Sequence, residues 1–178
     1  MRLWLALTVA ALLLMSVRAA DTSATSVDTK ATLAALAPLI GGEWRVNAKW
    51  ASGEPLNARS IYDWGVGKKF VTGKVFVTNP DGKEYQRYES VYGMRDGKLM
   101  LWDFSFEGVV DLSEWKLDGK RLYTERLMKS PNGESKMVQS IELFEENKFR
   151  WIVAFEGGGK KNTLIDATWV RTSAEEKK

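Results

Sequence analysis

From Glu43 to Arg171 the chain is cut by turn signals at nearly even intervals, and that spacing limits the fold more than any other feature. Asn79-Pro80-Asp81-Gly82, Arg95-Asp96-Gly97, Asp118-Gly119, Ser130-Pro131-Asn132-Gly133, Glu146-Asn147 and Gly157-Gly158-Gly159 recur every eleven to fifteen residues. One interval of twenty-two, between Gly97 and Gly119, is divided by Glu107-Gly108. Every Pro (Pro38, Pro55, Pro80 and Pro131) falls in a connection, as a hydrogen-bonded ladder requires. Short strands with such punctuation point to a sandwich or barrel. Ten strands fit, at about 43–51, 57–65, 68–79, 83–94, 98–106, 109–117, 120–129, 134–145, 148–156 and 161–171. A hairpin-linked sheet of that size tends to curl and close, because closure removes its edges. The expected fold is all-β, a single closed antiparallel β-barrel of about ten strands preceded by one short N-terminal helix.

Period-two alternation supports the strand reading. Trp44, Val46, Ala48 and Trp50 share one face, opposite Arg45, Asn47 and Lys49. Phe149, Trp151, Val153 and Phe155 oppose Arg150, Ile152 and Ala154. Leu122, Thr124, Arg126 and Met128 oppose Arg121, Tyr123, Glu125 and Leu127, a less decisive pattern. Several strands are apolar on both faces, so the sequence leaves their inward side open; a slip of one residue reverses it.

The N-terminus reads differently. Arg2 precedes an apolar run from Leu3 to Met15, and Ser16 to Ala20 closes on small residues. This is the layout of a secretory signal peptide over 1–20, cut after Ala19 or Ala20, and it is too short to cross a bilayer as an anchor. A flexible leader over 21–30 follows, then the barrel domain over 31–172 and a charged tail over 173–178. Leu33, Leu36 and Leu39 recur every three residues, which predicts a helix over Thr29–Leu39 ended by Pro38 and Gly41-Gly42. The expected destination is export, to the periplasm or the medium, with no stable membrane anchor once the signal is removed.

Two absences narrow the chemistry. Without Cys the domain has no disulfide, no thiol chemistry and no lipidated cysteine. Without His it lacks the usual neutral-pH base, haem ligand and commonest zinc ligand. Removing Arg2 and Arg18 lowers Lys plus Arg from 26 to 24 against 23 acidic residues, a formal charge of +1. Lys68-Lys69 and Lys160-Lys161 are isolated pairs, so nucleic acid is not an expected partner. No cofactor and no metal are expected; Asn79 to Gly82 lacks the ligand spacing of a calcium loop.

Gly42-Glu43-Trp44 at the head of the first strand resembles the opening of lipocalins and other calycin barrels. In those proteins the Trp plugs the base under an Arg from the last strand, and Arg171 in Thr168-Trp169-Val170-Arg171 is the matching position. The resemblance implies structural closure by Gly42, Trp44 and Arg171. The stretch Tyr62-Asp63-Trp64-Gly65-Val66-Gly67-Lys68-Lys69-Phe70 is similar to a hairpin of uncharacterised secreted bacterial lipocalin-like families, as are Tyr92-Gly93 and Trp102-Asp103-Phe104. Nitrobindin-type barrels also resemble the layout, but they hold haem through a His that this chain lacks. The Arg-x-Tyr of fatty-acid-binding barrels is absent as well, since Arg171 is followed by Thr172 and Ser173.

Candidate ligand-binding residues are Trp50, Tyr62, Trp64, Arg87, Tyr88, Tyr92, Trp102, Phe104 and Trp151, aromatic or anchoring side chains that suit an apolar cavity. Arg87, if inward, would anchor an anion. Asp103 faces solvent if Trp102 and Phe104 point inward; otherwise it is buried and needs a partner. The sequence leaves cavity and packed core evenly balanced. The favoured reading is a secreted lipocalin-like binding module for a small hydrophobic, aromatic or amphipathic molecule. A solid-barrel interaction or scaffold module of the cell envelope is the alternative. An acid–base enzyme would have to use Asp, Glu or Tyr; Glu89, Asp103, Glu107 and Asp111 form no recognised motif, so no catalytic residue is assigned.

Overall fold

The computed structural model describes residues 33–130, 133–157 and 159–172. The signal, the leader and the charged tail lie outside the described residues. Ten strands run in order: β1 (Glu43–Lys49), β2 (Pro55–Trp64), β3 (Phe70–Thr78), β4 (Glu84–Arg95), β5 (Lys98–Ser105), β6 (Val110–Asp118), β7 (Arg121–Ser130), β8 (Gly133–Glu145), β9 (Lys148–Gly157) and β10 (Lys160–Thr172). Each pairs antiparallel with its sequence neighbours, and β1 pairs with β10 to close the barrel. Strand β2 starts two residues earlier than its pattern suggests, at Pro55 opposite Lys49. The first position of a strand is where a ladder tolerates a residue without an N–H.

The expected helix over Thr29–Leu39 is not supported by the described part of that stretch, where only Leu33 and Ala34 are α-helical. Residues 29–32 lie outside the described residues, and the remainder carries a 3-10 turn, Ala37–Leu39. Leu36 N donates to Leu33 O at 3.0 Å, Leu39 N to Leu36 O at 2.9 Å and Ile40 N to Ala37 O at 3.1 Å. Bonds of this i to i+3 type eclipse side chains three apart. A three-residue leucine spacing therefore makes one apolar edge here, and Leu33, Leu36 and Leu39 are all buried against the barrel base.

That base is closed by packing. Trp44 is wholly buried, edge-on to Phe149 at 4.9 Å, with its indole N–H donating to Leu39 O at 2.8 Å. The Arg171 guanidinium lies over the Trp44 ring at 4.5 Å and also donates to Pro38 O. A cation over a buried indole contributes about 0.5–2 kcal/mol. Gly42 has a φ of +73°, and a Cβ there would meet the Arg171 stem at 3.1 Å. Both the backbone and the close approach therefore call for glycine before the Trp. Among the described residues no helix is long and apolar enough to cross a membrane.

Candidate ligand-binding site

Alternation and register settle which side chains face inward. On β1 and β9 these are Trp44, Val46, Ala48 and Trp50, and Phe149, Trp151, Val153 and Phe155, the faces that the sequence pattern separates. Their rings form a chain up the wall. Phe149 stacks on Trp169 at 5.6 Å, Trp169 meets Trp151 at 6.5 Å, and Trp151 meets Trp50 edge-on at 5.8 Å. The lower members are buried, whereas Trp50, Trp151, Val75, Val77 and Met137 face inward from the upper half and are only half-buried. Their partial exposure places them toward the mouth of the barrel, away from the packed base.

The facing wall is polar. One register row crosses five adjacent strands: Tyr62 pairs with Gly73, Gly73 with Ser90, Ser90 with Asp103, and Asp103 with Asp111. Gly73 makes room for the row, since a Cβ there would sit 2.9 Å from the Tyr62 ring. Ser90 donates its hydroxyl to Asp103 Oδ1 at 2.5 Å. Arg126 reaches from β7 to donate to Asp111 Oδ2. Carboxylates opposite one another repel, and that guanidinium offsets the repulsion. One row above, on the inward face of β2, Ser60 Oγ is wholly buried without a hydrogen-bond partner. Tyr62 stands near it on the same face, but no bond of acceptable geometry joins them.

Burial shapes the acid–base character of this row. It pushes the Tyr62 phenol up to about 12, with the Asp103 charge adding to the effect. Tyr92 is raised well above the ordinary range by burial, then by Tyr62 and Asp103. Both are neutral phenols at physiological pH. Asp103 is raised chiefly by burial and also by Asp111, against the opposing pull of Ser90 and Arg126. The row thus presents neutral hydroxyls around one partly desolvated carboxyl.

The ladder between β6 and β7 is incomplete. Only Lys116 with Tyr123, Leu117 with Leu122 and Asp118 with Arg121 are paired, all at the base. Above them the two strands have no backbone pairing, and the Arg126–Asp111 ion pair spans the seam. The polar row therefore ends at a seam where backbone pairing stops.

The candidate residues sort into groups. Trp50 and Trp151 meet in the upper interior, and Tyr62 and Tyr92 are buried on the facing wall, with Tyr92 edge-on to Trp115 at 6.1 Å. Tyr88 shares their face through its pairing with Val75 and Ser105. Trp64 packs against the core at the base. Trp102 and Phe104 face outward. Leu99 and Leu101 are buried and Asp103 meets Ser90, so the residues between them take the exterior. There Trp102 lies across Gly93, 3.4 Å from where its Cβ would stand, and Phe104 is 42% exposed.

Arg87 does not stand free as an anion anchor. It sits at a β-bulge on the rim and pairs with Glu107. Arg59 is engaged on the exterior, donating twice to Glu84, at 2.8 Å and 2.6 Å, above the Phe76 ring. Glu89 is exposed. Ser90, Asp103, Asp111 and Arg126 are the members of the site that the candidate ligand-binding set omits. Each is unremarkable in its own strand and becomes part of a site only through the cross-strand register.

No protein-family model matches this chain, and no curated protein matches it. Solved structures that are similar to it are barrels. Rv2717c from M. tuberculosis aligns at 16% identity over 79% of this chain and 97% of its own, with a TM-score of 0.49. A redesigned β-barrel aligns at 13% identity over 78% of this chain and 96% of its own, TM-score 0.42. A de novo designed fluorescence-activating β-barrel aligns at 9% identity over 77% and 97%, TM-score 0.41.

Proposed function

We propose that this chain is an exported, lipocalin-like binding module that takes a small amphipathic molecule into the upper half of its barrel. The observation that carries the reading is the two-sided interior. Half-buried Trp50 and Trp151 stand on one wall, and the Ser90–Asp103–Asp111 row stands on the other. Small-molecule sites combine apolar surface with a few convergent polar groups in this way. Export draws its support from the apolar segment and small-residue end of residues 1–20.

The test is a titration of tryptophan fluorescence with a panel of small lipids and aromatic molecules. A saturable change is expected, and Trp50→Ala should weaken it about tenfold, a loss near 1.4 kcal/mol. A panel-wide absence of saturable response would overturn the reading.

A scaffold role draws on a different observation. Phe104, Phe106, Val109, Val110 and Leu112 are all exposed around the β5–β6 hairpin, an apolar strip of the kind found at protein contacts. A response lost on Trp102→Ala or Phe104→Ser but kept on Trp50→Ala would favour that surface over the interior.

A further inference from the structure

We infer that the polar end of the ligand is cationic, an ammonium or similar hydrogen-bond-donating head, and that Asp103 receives it. The inference rests on the interior site proposed above and sharpens it. Three charged side chains lie along this part of the wall: Asp103, Asp111 and Arg126. Arg126 makes its direct ion pair with Asp111 and reaches Asp103 only through its longer-range field, so among the described residues Asp103 is the member of the three with no ion pair. Its Oδ1 accepts from Ser90, and among the described residues its Oδ2 accepts no hydrogen bond. An ionised carboxyl can take several donors, so this oxygen has capacity to spare.

A second observation points the same way. Ser60 Oγ is wholly buried and unpartnered on the same inward wall, so the site holds unmet hydrogen-bonding capacity beyond the carboxyl. The other groups near Asp103 are a hydroxyl and two neutral phenols, Ser90, Tyr62 and Tyr92, none of which supplies positive charge. The nearest cations on neighbouring strands are taken, Arg87 by Glu107 at the rim and Arg126 by Asp111. Among the described residues an anionic head would meet a carboxyl without an ion pair and, beside it, only cations already paired. Facing Trp50 and Trp151 suit an aliphatic or aromatic tail, and indole faces also attract cations.

The test compares decylammonium, decanol and decanoate, which share one tail, by calorimetric titration of the full chain at neutral pH and fixed salt. Decylammonium should bind at least about tenfold more tightly than decanoate, with decanol between them. Asp103→Asn should reduce that spread to within about threefold, chiefly by weakening decylammonium. Decanoate binding as tightly as decylammonium, or more so, would overturn the cation preference while leaving the interior site standing. A preference that survives in Asp103→Asn would overturn the assignment to Asp103. No saturable binding by any of the three would overturn the interior site itself, and this inference with it. If Asp103→Asn fails to fold, Asp103→Ser gives the same comparison, and the order of the three ligands on the unaltered chain decides the preference alone.

Discussion

The lower and upper halves of this barrel are built from the same strands and solve opposite problems. At the base, Leu33, Leu36, Leu39, Trp44, Phe149 and Trp169 are buried, and the Trp44 indole N–H is drawn into the closure by its bond to Leu39 O. In the upper half the inward aromatic and aliphatic side chains stay half-buried, one Asp103 oxygen accepts no hydrogen bond among the described residues, and β6 and β7 stop pairing. The lower half supplies stability, and the upper half withholds some of it. Parts of a fold with fewer buried apolar contacts and fewer ladder bonds are the ones that open most readily.

The sharpest way to break that contrast is at the base. Trp44→Ala should cost about 3–5 kcal/mol, since it empties a fully buried position. It also leaves Leu39 O without its donor and Arg171 without its ring. A urea melt would show the loss as a lower midpoint, and an unchanged slope would confirm that the fold remains two-state. In the upper half Trp50→Ala should cost distinctly less stability. Equal costs would remove the distinction between the halves.

A smaller effect is expected at Gly42. Gly42→Ala forces a side chain into a left-handed backbone and against the Arg171 stem. It should cost about 1–2 kcal/mol from the backbone alone, read by the same melt. An unchanged midpoint would mean that the Gly42 turn is not held by the closing pair.

The next prediction concerns the upper half and is a change with pH. Burial holds the Asp103 carboxyl above its ordinary range in the folded chain. The folded state therefore binds that proton more tightly than the unfolded state does. The resulting stability is full at pH values below the ordinary carboxylate range, and it is lost as pH rises through the raised value. Asp103→Asn removes this dependence, so its stability should gain on the unaltered chain as pH rises from about 4 through the raised value, and then level off. Parallel stability curves for the two proteins would contradict the burial of Asp103. The smallest effect is expected at Trp102→Ala, on the exterior, which should leave ligand affinity within about twofold.

How much of this was legible in the sequence depends on whether a feature is local. Turn chemistry divided the chain into ten strands, and Trp44 to Trp50 and Phe149 to Phe155 declared their inward faces by alternation alone. The leucine spacing before them was also legible as a buried edge, but three-residue spacing fits a 3-10 turn as well as a short helix. Strand β5 was not legible. Leu99 and Leu101 on one face and Trp102 and Phe104 on the other are equally apolar, so only the pairing of Asp103 with Ser90 fixes its parity. The polar row has the same origin, because Tyr62, Gly73, Ser90, Asp103 and Asp111 lie on separate strands and meet only through register. The incomplete β6–β7 ladder left no mark in composition at all.

Native mass spectrometry of the protein purified from its own host tests the central claim most directly. A small molecule should be retained on the unaltered chain and absent from the Trp50→Ala, Trp151→Ala double variant. A bare polypeptide mass in both proteins, or an adduct that survives in the double variant, would contradict a ligand held in the upper interior.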